Sequence, residues 1–407
     1  MAFFKRTIKD VPIDNKTVLV RADYNVPLDK DGKISDDLRI VASLPTIEYL
    51  LKRRCKVVIM SHLGRPDGRE AGLSLEPISE RLAELLGKPV KFVGVCYGDR
   101  AKQAVKKSPP GSVILIQNLR YHPEEEANDQ DFAKKIAEST GARYFVQDGF
   151  GVVHRAHAST DAITYFIPSV AGLLLEREYA TITSAMQKPK RPLVAVLGGA
   201  KISDKITVIE RFVDIADRII IGGAMANTFL KYKGYGVGAS ILEDGQDEVL
   251  DRIYAAADEK TGGKADDLIM LPLDVAVGDA LSEKAERRNV DLDKVGDKDI
   301  ILDVGEKTIE AIAKEVSTSK TVIWNGTLGY AEFANFAHGS ARLALSLAAD
   351  PKITSIIGGG DTADFALKWD GDGGKSFTHV STGGGASLDL MAGKKLPGVE
   401  SLLDAAR

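Results

Sequence analysis

Short, unbroken apolar runs rich in β-branched residues recur along the chain, and longer stretches of mixed polarity separate them. The runs at 17–21, 56–60, 112–116 and 143–146 read as buried strands. A second series follows at 193–197, 218–221, 268–271, 321–324, 353–357 and 377–380. Continuous rather than alternating apolarity suits parallel strands covered on both faces. The intervening segments, for example 75–86, 130–139 and 307–316, read as helices. Strand–helix alternation predicts right-handed crossovers and an α/β fold. One helix is expected from Leu173 to Met186, stopped by Pro189 and Pro192, with a fresh strand at Leu193. The expected architecture is therefore two Rossmann-like parallel-sheet lobes joined by a helix.

Composition narrows the function. The chain has 407 residues, enough for more than one domain with its own core. Apolar residues make up 44% and charged residues 28%, which excludes disordered and fibrous classes. Lys+Arg total 54 against 58 Asp+Glu, so no basic surplus points to nucleic acid. The two cysteines, Cys55 and Cys96, cannot build a disulfide framework or a Cys-rich zinc site, and they are expected to be reduced and buried. No apolar stretch approaches the roughly 18 residues a membrane span needs, and the start is too quickly charged for a signal peptide. A cytoplasmic protein without a membrane or nucleic-acid partner is expected.

The chemistry is expected where open α/β sheets place it, at the carboxyl ends of strands. In the first half those ends carry arginines and histidines: Arg21, Asp23 and Asn25, then Arg39; Ser61-His62-Leu63-Gly64-Arg65; Arg120; and His154-Arg155 with His157. Several guanidiniums on one rim suit a multiply charged anion, and the histidines could become charged near neutral pH. No nucleophile–base pairing and no carboxylate or Cys at metal-ligand spacing accompanies them. Asp29-Lys30-Asp31-Gly32 lacks the later positions of a calcium loop and reads as a turn.

In the second half the strand ends carry glycines instead: Gly198-Gly199-Ala200-Lys201 with Lys205, Gly222-Gly223, Asn325-Gly326, Gly358-Gly359-Gly360-Asp361-Thr362, and Gly383-Gly384-Gly385. Glycines opening helices let backbone N–H groups reach phosphate. Gly374-Lys375-Ser376 is not a P-loop, since Trp369 stands where its first glycine belongs. Gly358, Gly360 and Ala363 satisfy a loose dinucleotide pattern, but no acid ends the next strand. An anion half-site and a nucleotide half-site together predict phosphoryl transfer across a substrate cleft that closes.

At these motifs the chain resembles the phosphoglycerate kinases over essentially its whole length. The matching blocks include Arg21-Ala-Asp-Tyr-Asn-Val-Pro27, Ser61-His-Leu-Gly-Arg-Pro66, Asn118-Leu-Arg120 with Glu124-Glu-Glu126, and His154-Arg-Ala-His-Ala-Ser159. They continue through Gly198-Gly-Ala-Lys-Ile-Ser-Asp-Lys205, Trp324-Asn-Gly326, Gly358-Gly-Gly-Asp-Thr362 and Ser381-Thr-Gly-Gly-Gly-Ala-Ser387. The resemblance implies a monomeric, hinge-bending glycolytic enzyme that moves a phosphoryl group between 1,3-bisphosphoglycerate and MgADP, giving 3-phosphoglycerate and MgATP.

It also implies residue roles and lobe limits. Residues 1–172 with a C-terminal helix in 392–407 would bind the glycerate, 173–191 would link, and 192–391 would bind nucleotide. Arg21, Asp23, Asn25, Arg39, His62, Leu63, Gly64, Arg65, Arg120 and Arg155 would hold the substrate, with Arg39 nearest the transferred group. Gly199, Lys201, Lys205, Gly223, Asn325, Glu332 and 358–362 would hold ADP or ATP. Glu332 would take the ribose and Asp361 the Mg2+. Arg39, Lys201, Gly360 and Gly383 would act on the moving group. Another small-carboxylate kinase and a non-catalytic nucleotide-binding homologue are the competing readings.

The chain departs from the family pattern in places. Gln117 replaces a usual Glu, 148–153 is a variant block, and Glu306 replaces a usual proline. Thr327-Leu-Gly-Tyr-Ala-Glu332 stands where Pro-Met-Gly-Val-Phe-Glu is usual, which puts base selectivity, ATP against GTP, in question.

Overall fold

The computed structural model describes residues 3–406; residues 1, 2 and 407, the ends of the expected glycerate-binding lobe, lie outside the described residues. The chain divides into two compact units, Met1–Thr181 with Lys394–Arg407, and Ile182–Gly393.

The first unit is built on six parallel strands: β1 (Thr17–Arg21), β2 (Lys56–Met60), β3 (Val90–Val93), β4 (Val113–Ile116), β5 (Tyr144–Gln147) and β6 (Ser169–Ala171). Their order is β3-β4-β2-β1-β5-β6. Apolar runs fill the central strands because helices cover both faces, and Val18, Val20, Val57, Ile59 and Val113 pack with Tyr24, Ile40 and Ile47 in one core. The helix Gln130–Thr140 shows how local sequence sets its bounds. The Asp129 side chain accepts from the Phe132 N–H at 2.7 Å, and Gly141 leaves the last turn at φ 57°. β3 and β6, which the apolar pattern does not predict, are short edge strands.

The C-terminal segment returns to this unit, but not as the expected helix. Only Pro397–Glu400 is helical. Beyond it the chain runs extended, with the Arg6 N–H donating to Leu403 O at 2.7 Å and the Ala405 N–H to Phe4 O at 3.0 Å. Buried Lys5 fixes it, its ammonium donating to Glu400 O, Leu402 O and Asp404 Oδ1. Pairing with chain that is already extended outweighs helix propensity over so few residues.

The helix Leu173–Gln187 carries the chain to the second unit. There β7 (Leu193–Leu197), β8 (Arg218–Ile221), β9 (Ile269–Met270), β13 (Thr321–Asn325), β14 (Thr354–Gly358) and β15 (His379–Val380) form a parallel sheet ordered β15-β14-β13-β7-β8-β9. β10 (Asp274–Gly278), β11 (Arg288–Asp291) and β12 (Ile300–Val304) add an antiparallel three-stranded sheet absent from the sequence reading. β11 is largely polar and exposed, so periodicity does not reveal it. The runs at 268–271 and 377–380 shorten to two paired residues each, and the others hold to within a residue.

The switch in strand order falls between β7 and β13, where successive connections leave in opposite directions. That is where an open α/β sheet leaves a crevice at its carboxyl edge. Both cysteines are free and buried. Among the described residues, no helix is long and apolar enough to cross a membrane.

Candidate functional site

In the first unit, parallel pairing puts the ends of β1, β2, β4 and β5 on one edge. Hydrogen bonds then tie the following loops together. The Tyr24 N–H donates to Ser61 Oγ, and the Leu119 N–H to Ser61 O. Arg39 Nη1 donates to Asp23 Oδ2 at 3.0 Å and to Asn25 O at 3.1 Å. Asn25 Oδ1 accepts from the Gly64 N–H at 2.8 Å, and Arg120 Nη1 donates to Gly64 O at 2.8 Å. Leu63 is pinned by Asn118, whose side chain accepts from its N–H and donates to its carbonyl.

Charge is left over at this edge. Burial would raise the Asp23 carboxyl, but Arg39, His62 and Arg21 hold it below the ordinary carboxylate range. Arg65 is exposed and, among the described residues, donates to no protein acceptor. Arg155 is exposed and, among the described residues, its side chain donates only to His154 Nε2, at 3.2 Å. Burial lowers the Arg120 guanidinium; Glu126, 3.1 Å away, opposes this, while Arg155 and Arg65 lower it further. Guanidiniums that depress one another invite an anion.

Two expectations need correction. Arg21 is not on the rim: it is 1% exposed, with Nε donating to Ser159 Oγ at 2.7 Å, Nη1 to Ala22 O, and Nη2 3.2 Å from His62 Nδ1. It lies 3.8 Å from Glu125, which is fully buried and also accepts from the Ser159 N–H and Oγ. This network forms the floor of the site. Its sequence signal was the acidic run 124–126, of which only the middle residue turns inward. His62 and His157 are not poised to charge near neutrality either. Burial holds His62 well below the usual imidazole value, helped by Arg21, Arg120 and Arg39. Burial and neighbouring cations bring His157 down to about 4.

In the second unit the glycine loops interlock at the switch point. The Gly198 N–H donates to Asn325 O, the Gly199 N–H to Thr327 O and the Gly223 N–H to Leu328 O. Gly326 sits at φ 96°, and a Cβ there would lie 2.2 Å from the Gly198 backbone, so no larger residue fits. Lys205 Nζ donates to Gly198 O at 2.8 Å, and burial lowers its ammonium despite Asp204 and Asp361. Lys201 is exposed and makes no hydrogen bond or ion pair among the described residues.

Gly359, at φ 98°, turns β14 into the helix Gly360–Asp370, so the amides of Gly360, Asp361 and Thr362 open that helix with no side-chain cap. Thr362 Oγ1 accepts from the Gly326 N–H, joining this loop to β13. Asn325 is buried beside Gly359 with an unpartnered Nδ2. The loop after β15, held through Ser381 Oγ on the Gly383 N–H, passes near the start of that helix, where a Cβ on Gly384 would lie 4.0 Å from the Gly360 nitrogen. Glu332 is exposed.

A largely apolar pocket adjoins these loops. Gly223, Leu328 and Tyr330 form one wall, and the antiparallel sheet supplies Ile300, Leu302 and Asp303. Asp303 is fully buried on Arg287 at 2.8 Å, and burial raises its carboxyl. The sequence reading missed this wall because it missed the sheet. Glu306, at the proline position, opens the helix Glu306–Thr318, where a carboxylate favours the first turn.

Among the described residues, no three His, Cys, Asp or Glu side chains are grouped to hold a metal ion. Asp361 is a single exposed carboxylate near Lys205. That donor set fits a hard cation brought in on phosphate oxygens, not a protein cage.

The family model described as phosphoglycerate kinase matches residues 8–394. A phosphoglycerate kinase of Pelotomaculum thermopropionicum is 43% identical over 401 residues, covering 98% of this chain and 99% of the relative. One from Chloroflexus aggregans is 46% identical over 407 residues, with the same coverage. The solved structure of phosphoglycerate kinase from Coxiella burnetii superposes with a TM-score of 0.83 at 36% identity, over 98% of each chain.

Proposed function

The chain belongs to the phosphoglycerate kinase family, and from that premise we propose how its two units divide the reaction. The activity is reversible phosphoryl transfer from 1,3-bisphosphoglycerate to ADP, giving 3-phosphoglycerate and ATP. A terminal oxygen of ADP attacks the acyl phosphorus, and the bond to the carboxylate oxygen breaks. The leaving group is a carboxylate, whose ordinary pKa near about 4 means it departs without a proton. No general acid is needed, and the sequence offers no nucleophile–base pair. Catalysis rests on position and charge.

The first unit holds the glycerate through Asn25, Arg65, Arg120 and Arg155, with Leu63 and Gly64 shaping the backbone. Asp23 aims Arg39 at the transferred phosphoryl, while His62 and Arg21 support Asp23 from below. In the second unit Lys201 meets the same phosphoryl and Lys205 the nucleotide phosphates. The amides of 358–362 and of Gly383 stabilise equatorial oxygens. Gly199, Gly223 and Asn325 shape the phosphate bed, and Glu332 takes the ribose. Mg2+ belongs with the nucleotide; Asp361 would hold it, and it neutralises phosphate charge. A cytoplasmic monomer using only small-molecule substrates completes the reading.

The observation that supports this assignment best is the arginine pair Arg65 and Arg155, exposed and without a carboxylate partner among the described residues, crowding Arg120 beside an Arg39 already aimed by Asp23. The test is initial-rate kinetics with MgATP and 3-phosphoglycerate, coupled to NADH oxidation, with GTP in parallel. Saturable turnover that needs 3-phosphoglycerate is expected. Folded protein with no turnover on either nucleotide would refute the reading.

A further inference from the structure

A second polar pocket lies in the first unit, away from the substrate arginines. Arg69, Ser74 and Glu76 line one side, Phe92 and Gly94 continue from β3, and Arg100, Gln117 and Tyr121 complete it around about 1030 Å³ of open space. We propose that this pocket binds a phosphate group, as free phosphate or as a small phosphate monoester.

Charge is the first argument. Arg69 and Arg100 face a single carboxylate, Glu76. Arg100 is exposed and, among the described residues, has no hydrogen-bond or ion-pair partner. Arg69 donates Nη2 to Gly94 O at 3.0 Å, which fixes its guanidinium on the wall, and among the described residues its other donors have no acceptor. Burial raises the Tyr121 phenol, so it stays neutral at pH 7. The pocket is therefore cationic, with two forks of the kind that bind oxyanions bidentately.

The floor is the second argument. Gln117 is 5% exposed, and its amide is spoken for: Oε1 accepts from the Leu75 and Asn118 N–H groups, and Nε2 donates to Ser74 Oγ. A neutral, satisfied floor adds no repulsion to an anion and holds the segment 73–75 against β4. The same segment leads back to Gly64 through Asn118, which donates to Leu63 O and Leu73 O. A bound phosphate would therefore also steady the strip of chain that carries Arg65.

Equilibrium dialysis of inorganic phosphate, and separately of glycerol 2-phosphate, against the full chain tests this. Wild type is expected to show a binding class that the Arg69→Gln/Arg100→Gln double variant weakens at least about tenfold, the loss of a charge-assisted bond. Gln117→Glu should weaken it similarly, because it sets a carboxylate in the floor while keeping both acceptor contacts. Turnover and KM for 3-phosphoglycerate should stay within about twofold in every variant. Whichever probe shows the difference names the source of the phosphate. In wild type that probe should also slow amide hydrogen exchange at 64–76, and not in the double variant. Identical isotherms for wild type, the double variant and Gln117→Glu would overturn the proposal, as would exchange at 64–76 that the double variant protects equally.

Discussion

Arg39 Nη1 lies 3.0 Å from Asp23 Oδ2, and Asp23 is in turn held charged by Arg39 and Arg21. The carboxylate thus restricts a guanidinium that would otherwise sample many rotamers. Aimed cations at a phosphoryl transition state account for roughly 10² or more in rate. Arg39→Ala should lower kcat at least about 100-fold and also lower the melting temperature, because buried Asp23 loses the cation that most favours its charge. Arg39→Lys should restore little, because an ammonium cannot match the fork. Steady-state kinetics beside thermal melts would check both, and near wild-type kcat in Arg39→Ala would remove the role.

Lys201 and Lys205 stand in one loop but differ in what they do. Lys205 donates to Gly198 O, whereas Lys201 has no protein acceptor among the described residues. Lys201→Ala should therefore lower kcat at least about 100-fold while leaving KM for ATP and the melting temperature almost unchanged. Lys205→Ala should raise KM for ATP. Full kinetic profiles of the two variants separate these outcomes, and a pure KM effect in Lys201→Ala would contradict its assignment to the moving group.

The site was legible wherever chemistry sits at strand ends. Parallel strands share a carboxyl edge, so a residue's place after an apolar run fixes its side of the sheet. That is why the sheet edge on which Asn25, Arg65, Arg120 and the glycines of 358–360 stand could be read in advance. What stayed hidden depended on side-chain direction. Arg21 ends β1 and Arg65 lies in the loop after β2, yet one turns into the core onto Glu125 and the other into solvent. Within the antiparallel sheet, β11, Arg-Asn-Val-Asp, was hidden because it has no apolar run. The C-terminal segment keeps only the helical turn Pro397–Glu400, because beyond it pairing with residues 4–6 satisfies the backbone instead.

Asp148 is fully buried under the first turn of the helix Leu173–Gln187. Oδ1 accepts from Thr46 Oγ1 and the Leu174 N–H, and Oδ2 has no partner. Burial raises its carboxyl to about 7, against the lowering effect of Thr46, the Leu174 and Leu175 amides and Arg177. The folded chain thus binds this proton more tightly than the unfolded chain. Its stabilising contribution is complete below the unfolded value near about 4 and is lost as pH rises through about 7. Asp148→Asn should gain on wild type by a few kcal/mol between about pH 4 and pH 7.5, and the difference should be flat above about pH 8.5. Urea unfolding of both proteins across that range measures it, and parallel curves would refute it.

His62 and His157 should both be neutral in the working enzyme, since burial holds the first well below its usual value and brings the second to about 4. Their ring resonances should not move between about pH 8 and pH 5.5 in two-dimensional NMR, with His→Gln variants giving the assignments. The sign for stability follows. The unfolded chain takes protons first, so stability falls as pH drops from about 6.5 toward 4. A titration of His62 near 6.5 would mean that its cavity admits water.

Tyr330 lines the apolar pocket with its ring backed by Phe333, the two centroids 4.5 Å apart. Its N–H donates to Leu302 O, so the residue is fixed on the antiparallel sheet although it sits in the loop that departs from the family pattern. An aromatic face in this place can take a purine by stacking, worth about 1–3 kcal/mol per base and nearly blind to which base it is. Hydrogen-bonding selectivity would have to come from polar atoms on the other walls, and buried Asn227 Oδ1, with no partner, is the acceptor available there. Tyr330→Ala should then raise KM for ATP and for GTP by the same factor, about 5- to 100-fold, with kcat nearly unchanged and the ATP/GTP ratio preserved. Asn227→Ala should change that ratio. If Tyr330→Ala shifted the ratio and left neither KM raised, the phenol and not the ring face would be reading the base.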